Sequence, residues 1–329
     1  MCWEDSRRYS TDVEQDSQEF GTFSHGRANT SMRRLLLIVI LVLFSTPVAL
    51  ADDARAQEIL KQARQAIGGD EQLQKLQGLQ INGQYRRVFG DRQMAGDREI
   101  SILLPNKYLI EDATNAGGLS TAMINTRALN GDKVWNSNSG GGGMVFRIAG
   151  PGGQQVSPEQ VEEMQRRIYS AEFSRYLLAM ILTPPPSLAV GYKYAGESEV
   201  ENAQAEVIEV SGPDNFSVRV FFDKKSLMPL LLSYRGPKPR IMTMQRHPGS
   251  KPEDIAKAGE EARQKMREEA PGPPEEVDFY IRLTDHKKVG GLMLPHKLIF
   301  LTADEVSEEF EITKYQLNPQ FKADRFEKH

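Results

Sequence analysis

Side chains able to do acid–base, nucleophilic or metal chemistry are present in this 329-residue chain, but not at spacings that gather them into a site. His247, His286, His296 and His329 show no H-E-x-x-H pattern, which would set two imidazoles and a general base on one helix face. No G-x-S-x-G, Walker A or EF-hand pattern occurs either. His286 falls in the turn-like stretch Asp285-His286-Lys287-Lys288 and His296 on an alternating strand, each without a partner residue for proton transfer or metal ligation. Glu308, Glu309 and Glu311 make a carboxylate cluster, but Glu309 and Glu311 share one face of a predicted strand, where outward charge is the ordinary state. The glycine run 140–143 lacks the Lys-Ser/Thr ending and following helix start that aim backbone N–H groups at a phosphate. These patterns predict a protein that is not an enzyme and needs no metal and no cofactor.

Lys and Arg number 41 against 45 Asp and Glu, and both signs are spread along the chain. That distribution is not the basic footprint of a nucleic-acid binder. The single cysteine, Cys2, precedes the expected processing point, so the mature chain is expected to hold neither a disulfide nor a thiolate ligand. Arg33 and Arg34 stand before an apolar run over 35–44, and Ala49-Leu50-Ala51 supplies a small-x-small cleavage pattern. The expectation is a polar, disordered extension over 1–31, a signal peptide over 32–51 cleaved after Ala51, and an exported mature chain over 52–329. Even 35–51 is at the short edge of a bilayer span, and it contains Ser45, Thr46 and Pro47, so no stable span is expected after cleavage.

The mature part reads mostly as strands. Ala56, Ile59, Leu60, Ala63 and Ile67 fall at helical spacing, and Gly68-Gly69 stop that helix. A short helix around 72–76 follows, after which alternation begins with Leu79, Ile81 and Tyr85 on one side. Ile100, Ile102 and Leu104 repeat the period, and Pro105-Asn106 breaks the chain before a strand with Tyr108 and Ile110. Asn130-Gly131 signals a hairpin between the run ending at Leu129 and the run holding Val134 and Trp135. A single short strand is expected over 145–148, between the glycine-rich stretches. Ser157, Pro158 and Gln160 form a capping box that opens a helix over 158–182, ended by Pro184, Pro185 and Pro186. Tyr169, Phe173, Tyr176, Leu177, Met180 and Ile181 make its apolar stripe. Strands resume near Tyr192, with Val218, Val220 and Phe222 alternating before a turn at 224–226. Residues 236–276, with their prolines and charged helical stretch, read as an insertion. Val277, Phe279, Ile281 and Leu283 then restore alternation, and two last strands are expected over 293–301 and 306–317.

The order of Leu104-Pro105-Asn106-Lys107-Tyr108, the hairpin Asn130-Gly131-Asp132-Lys133-Val134-Trp135 and the closing Leu317-Asn318-Pro319, behind an opening helix, resembles the LolA-like periplasmic lipoprotein-carrier family, the outer-membrane lipoprotein-sorting proteins. The resemblance covers roughly 52–235 and 277–329. It implies a mainly β fold with helices (α+β): a curved antiparallel sheet, an incomplete β-barrel, closed by helices over an apolar cavity that receives acyl chains. On that reading Leu79, Ile81, Tyr85, Ile100, Ile102 and Leu104 line the cavity. Tyr108, Ile110, Trp135, Val218, Val220, Phe222, Phe279 and Ile281 complete the lining. The stripe on the 158–182 helix, Tyr169, Phe173, Tyr176, Leu177, Met180 and Ile181, is the lid. Carriers of the family place an arginine just before the Pro-Asn pair to hydrogen-bond the lid; Leu104 stands there in this chain. The implied partners are lipid or lipoprotein acyl chains and envelope membrane proteins, in the periplasm. The alternative is an envelope stress sensor or scaffold of the same fold that acts through protein contacts.

Overall fold

The computed structural model describes residues 48–329 apart from 91, 115–122, 140–156, 240–250, scattered positions between 252 and 274, and 329. The expected N-terminal extension, nearly all of the signal peptide, the strand expected over 145–148 and most of the 236–276 insertion therefore lie outside the described residues. No described helix is long and apolar enough to cross a membrane.

Helix α1 (Val48–Ile67) carries Ala56, Ile59, Leu60, Ala63 and Ile67 as one buried stripe. It starts earlier than the apolar spacing alone indicates. Gly68 and Gly69, both at positive φ, end it, and the Gly69 amide returns to the Arg64 carbonyl at 2.8 Å. A Cβ on Gly68 would stand 2.7 Å from the Leu292 side chain, so the turn also needs glycine for close approach. One short helix, α2 (Asp70–Gln74), leads into the sheet.

The strands are β1 (Gly78–Phe89), β2 (Arg92–Leu103), β3 (Lys107–Thr114), β4 (Met123–Asn130), β5 (Lys133–Ser139), β6 (Gly191–Val200), β7 (Ala203–Ser211), β8 (Ser217–Asp223), β9 (Pro229–Pro237), β10 (Glu276–Val289), β11 (Leu292–Thr302) and β12 (Glu305–Leu317). Helix α3 (Pro158–Ile181) separates β5 from β6. All twelve form one antiparallel sheet in the order β5-β4-β3-β2-β1-β12-β11-β10-β9-β8-β7-β6. The sheet is curved and unclosed, because β5 and β6 are its two edges. Strands β9 and β10 pair from Pro237 and Glu276, and the Lys238 amide donates to the Glu275 carbonyl at 2.7 Å, so the insertion leaves and rejoins the sheet at one place.

Register decides which side chains face the helices. The pairings align Leu79, Ile102, Tyr108, Leu129 and Val134 in one cross-strand row, and Ile81, Ile100, Ile110 and Arg127 in the next. A bulge at Thr313 of β12, whose hydroxyl donates to the Asn82 carbonyl at 3.1 Å, keeps Tyr315 and Phe310 on that same face. The apolar residues among these, with Val218, Val220, Phe222, Leu232, Ile281, Leu283, Leu294 and Leu298, bury against α1 and α3 in one apolar core. Because side chains alternate, the neighbouring positions point the other way.

Trp135 is therefore not on the concave face. It aligns with Ala128, Leu109 and Ser101 on the convex side, where the 319–328 segment straps the sheet. Phe326 is 2% exposed there, and the Trp135 indole donates to its carbonyl at 2.9 Å. Val134 takes the inward place. Asn318 of the Leu-Asn-Pro closing motif adopts positive φ, accepts from the Gln77 amide at 2.7 Å and donates to the Lys75 carbonyl at 3.0 Å. It ties the last strand to the chain entering the first. In the hairpin, Asn130 pairs with Lys133, so the two turn residues are Gly131 and Asp132, one position later than the Asn-Gly signal indicates.

Candidate functional site

The site is the junction of α3 with the concave face. Ser157 caps the helix: its hydroxyl accepts from the Gln160 amide at 3.3 Å, and the Gln160 side chain accepts from the Ser157 amide at 2.9 Å. Leu182, at left-handed φ, ends it before the prolines. Its C-terminal half is driven into the sheet. Phe173, Tyr176, Leu177, Met180 and Ile181 are buried, while Tyr169 is half-buried against the same core. Tyr108 packs on Phe173 at 5.4 Å and on Tyr176 at 5.8 Å between ring centroids, and Tyr176 meets Phe300 at 6.4 Å. The Tyr315 hydroxyl donates to the Pro295 carbonyl at 2.5 Å and lies 3.4 Å from the Met180 sulfur.

Of the residues expected to line a cavity, Leu79, Ile81, Tyr85, Ile100, Ile102, Tyr108, Ile110, Val218, Val220, Phe222 and Ile281 are buried on this face. Leu104 packs against them half-buried, and Phe279 is half-buried where it stacks on Tyr234 at 5.1 Å. On the described part of this face the side chains of α1 and α3 pack directly against these residues.

Two polar latches hold α3 down, and neither is legible in the motifs. Arg127 of β4 grips Glu172 with both prongs, Nε at 3.1 Å and Nη2 at 2.8 Å from the two carboxylate oxygens. At the C-terminal end Arg64 of α1 donates to the Leu182 carbonyl from Nε at 3.3 Å and Nη2 at 3.0 Å, a cation on the negative end of the helix dipole. The sequence signal for the first latch is a charge at an inward position of an alternating strand.

Next to this latch the concave face turns from aliphatic to charged. Arg98, 2% exposed, donates to Asp112 from Nε at 2.6 Å and Nη2 at 3.0 Å, and to Glu308 from Nη1 and, at 3.2 Å, from the shared Nη2. Arg87 bonds Glu308 at 2.6 Å, and Arg87 and Arg127 approach Asp112 at 3.5 Å and 3.6 Å. The Arg98 guanidinium also lies 4.8 Å from the Tyr85 ring centre and 5.3 Å from that of Phe310. Its cross-strand partner is Gly83, where a Cβ would run into the Glu311 carbonyl and stand 2.8 Å from the Phe310 ring. Burial pushes the Asp112 carboxyl upward, but Arg98, Arg127 and Arg87 outweigh it and hold the pKa at about 2. For Glu308 too, burial acts upward and Arg98 and Arg87 prevail, so its pKa is lowered. Glu309 and Glu311 face outward, as expected, and pair with Arg86 and Lys297. Glu308 points the opposite way, into the network.

Burial lowers the pKa of His286 against the opposing pull of Asp285, and its Nε2 is buried without a partner; the His296 Nδ1 lies 3.1 Å from the Leu294 carbonyl. Among the described residues no group of three or more His, Cys, Asp or Glu side chains is placed to hold a metal ion.

No protein-family model and no curated protein sequence matches this chain. Solved structures similar to it include LolA superfamily protein NE2245 from Nitrosomonas europaea, at 11% identity over 83% of this chain and 97% of that chain, with a TM-score of 0.41. A structure described as an outer membrane lipoprotein-sorting protein domain from Vibrio parahaemolyticus is 8% identical over 84% of this chain and 97% of that chain, with a TM-score of 0.42. The MucA/MucB complex of Pseudomonas aeruginosa is also similar, at 12% identity over 81% of this chain and 100% of that chain, with a TM-score of 0.21. The first two bear the names that the sequence motifs resemble.

Proposed function

We propose that this chain is an extracytoplasmic, non-enzymatic carrier or binder of lipid or lipoprotein acyl chains, and that α3 is the element that yields to the guest. One observation carries the reading: the apolar concave face of an unclosed sheet is covered by a helix that side-chain latches hold at its middle and at its C-terminal end. The acyl-facing residues are then the inward rows running from Leu79 and Ile81 to Tyr108 and Ile110, with Val220 and Ile281 on the far half of the sheet.

Magnitudes make the exchange feasible. Five buried side chains of α3, at about 1.5–3 kcal/mol each, give on the order of 10 kcal/mol of apolar burial to be relinquished. A chain of about 16 carbons, at about 0.8 kcal/mol per methylene, returns on the order of 12 kcal/mol. Hydrophobicity is thus nearly balanced, and the latches set which state prevails. Mixing purified protein with a fluorescent acyl probe tests this: enhanced emission, competition by unlabelled fatty acid and lipid co-purifying in native mass spectra are expected. Failure to retain lipid together with failure to shield the probe overturns the reading.

A second reading, an envelope sensor or scaffold, is favoured by the exit of the insertion from one hairpin and by the edge of the ten-residue β6, which has no strand on its outer side among the described residues. Replacing 239–274 by a short turn discriminates, since loss of partner capture with unchanged acyl binding selects the scaffold.

A further inference from the structure

The charges beneath α3 do not all cancel locally. Glu172 and Arg175 are three residues apart and share a side of the helix. Glu172 is claimed by Arg127, and Asp112 and Glu308 by Arg98. Arg175 forms no ion pair with any described residue, and its buried Nε has no hydrogen-bond partner. Its guanidinium instead lies 3.6 Å from the Tyr234 ring centre and 6.0 Å from that of Phe216, and Tyr234 is itself stacked on Phe279 with the rings 8° from parallel. Stacking on rings recovers only part of what a guanidinium loses on leaving water. Burial accordingly lowers the Arg175 pKa, against the opposing pull of Tyr234 and Glu172. A second orphaned donor, the buried Tyr108 hydroxyl, belongs to the ring that packs on Phe173 and Tyr176 of the same helical turn.

A planar guanidinium with unspent donors is matched to a carboxylate or phosphate, which it holds with two parallel hydrogen bonds. We infer that Arg175, on its Tyr234–Phe279 platform, is the seat for the oxyanion of an amphiphile whose tail lies along the concave face. The inference rests on the acyl-binding reading and adds the headgroup class: anionic amphiphiles are preferred over neutral ones of equal length. The same oxyanion chemistry is offered by free phosphate.

The test titrates purified protein with decanoate, decanol and inorganic phosphate, separately, for the unsubstituted chain and for Arg175→Gln and Arg175→Lys. Decanoate is expected to bind at least about 10-fold more tightly than decanol, as a charge-assisted pair requires. Arg175→Gln is expected to bring decanoate down to the decanol level, and Arg175→Lys, which keeps the charge without the fork, to fall between. Arg219→Gln, on an exposed arginine of β8, serves as the control that keeps the preference. Equal affinity for decanoate and decanol in the unsubstituted protein overturns the inference and leaves the acyl-binding reading standing. So does a preference that survives Arg175→Gln. Should that variant fail to fold, the unsubstituted protein and Arg175→Lys decide. Binding of phosphate alone, lost in the variants, upholds the seat but assigns it to a free anion and removes the acyl reading. Binding of none of the three removes both.

Discussion

Replacing Arg98 by methionine removes the cation from the centre of the buried charge network while keeping a side chain of similar reach. Asp112 and Glu308 then remain in a dry site, with Arg87 and Arg127 as residual partners at 2.6–3.6 Å. Breaking a buried pair costs about 3–5 kcal/mol, and the neighbouring arginines bring the expected loss to the lower part of that range. The pH dependence provides an internal check. Asp112 has its folded pKa lowered from 3.8 to about 2, so its contribution is fully present above the unfolded value and is lost as pH falls through the folded one. That is worth about 2–3 kcal/mol, lost between about pH 4 and pH 2. Urea unfolding followed by circular dichroism at several pH values measures both quantities. Arg98→Met is expected to unfold at lower urea and to show a flattened or inverted acid slope, because its carboxylates then gain from protonation. An unfolding free energy unchanged to within about 1 kcal/mol, or an acid slope equal to that of the unsubstituted protein, refutes the assignment of Arg98 as the network's hub.

Glu172→Gln weakens the Arg127 latch by about 1–3 kcal/mol and is expected to speed hydrogen exchange across 172–182 and the uptake of an acyl probe; unaltered exchange there rejects the latch. Arg64→Ala removes the bonds to the Leu182 carbonyl and is expected to lower stability by about 1 kcal/mol, read from the thermal midpoint. Trp135 is screened from the concave face by the sheet, so a brominated fatty acid is expected to leave its fluorescence unquenched, whereas removing 319–328 shifts its emission to the red; quenching by the bromine places the guest on the convex side.

Most of the sheet is visible in the sequence because β-strands that bury one face write that face at period two. Leu79, Ile81, Ile100, Ile102, Val218, Val220 and Phe222 are examples, and the capping box at Ser157 marks α3 as plainly. The first half of β2 is not visible, since its inward positions are Met94, Gly96 and Arg98, and an inward arginine reads like an outward one. Its partner Glu308 lies 210 positions away, a separation that no local pattern spans. Trp135 illustrates a different limit. In Val134-Trp135 two apolar residues adjoin, and only pairing to Leu129 and Ala128, together with the strap carrying Phe326, decides which of them turns inward. Arg175 is not legible in the sequence, because its partners are the rings of Tyr234 and Phe216, distant in the chain, rather than a motif on its own helix.

The strand order places β1 and β12 side by side in the middle of the sheet, and Asn82 meets Thr313 across 231 intervening steps of chain. A ribosome delivers β1 long before β12, so β1 spends that interval as a bare edge beside β2. Such late, distant closure makes folding slow and leaves the nascent first half open to mispairing with other chains.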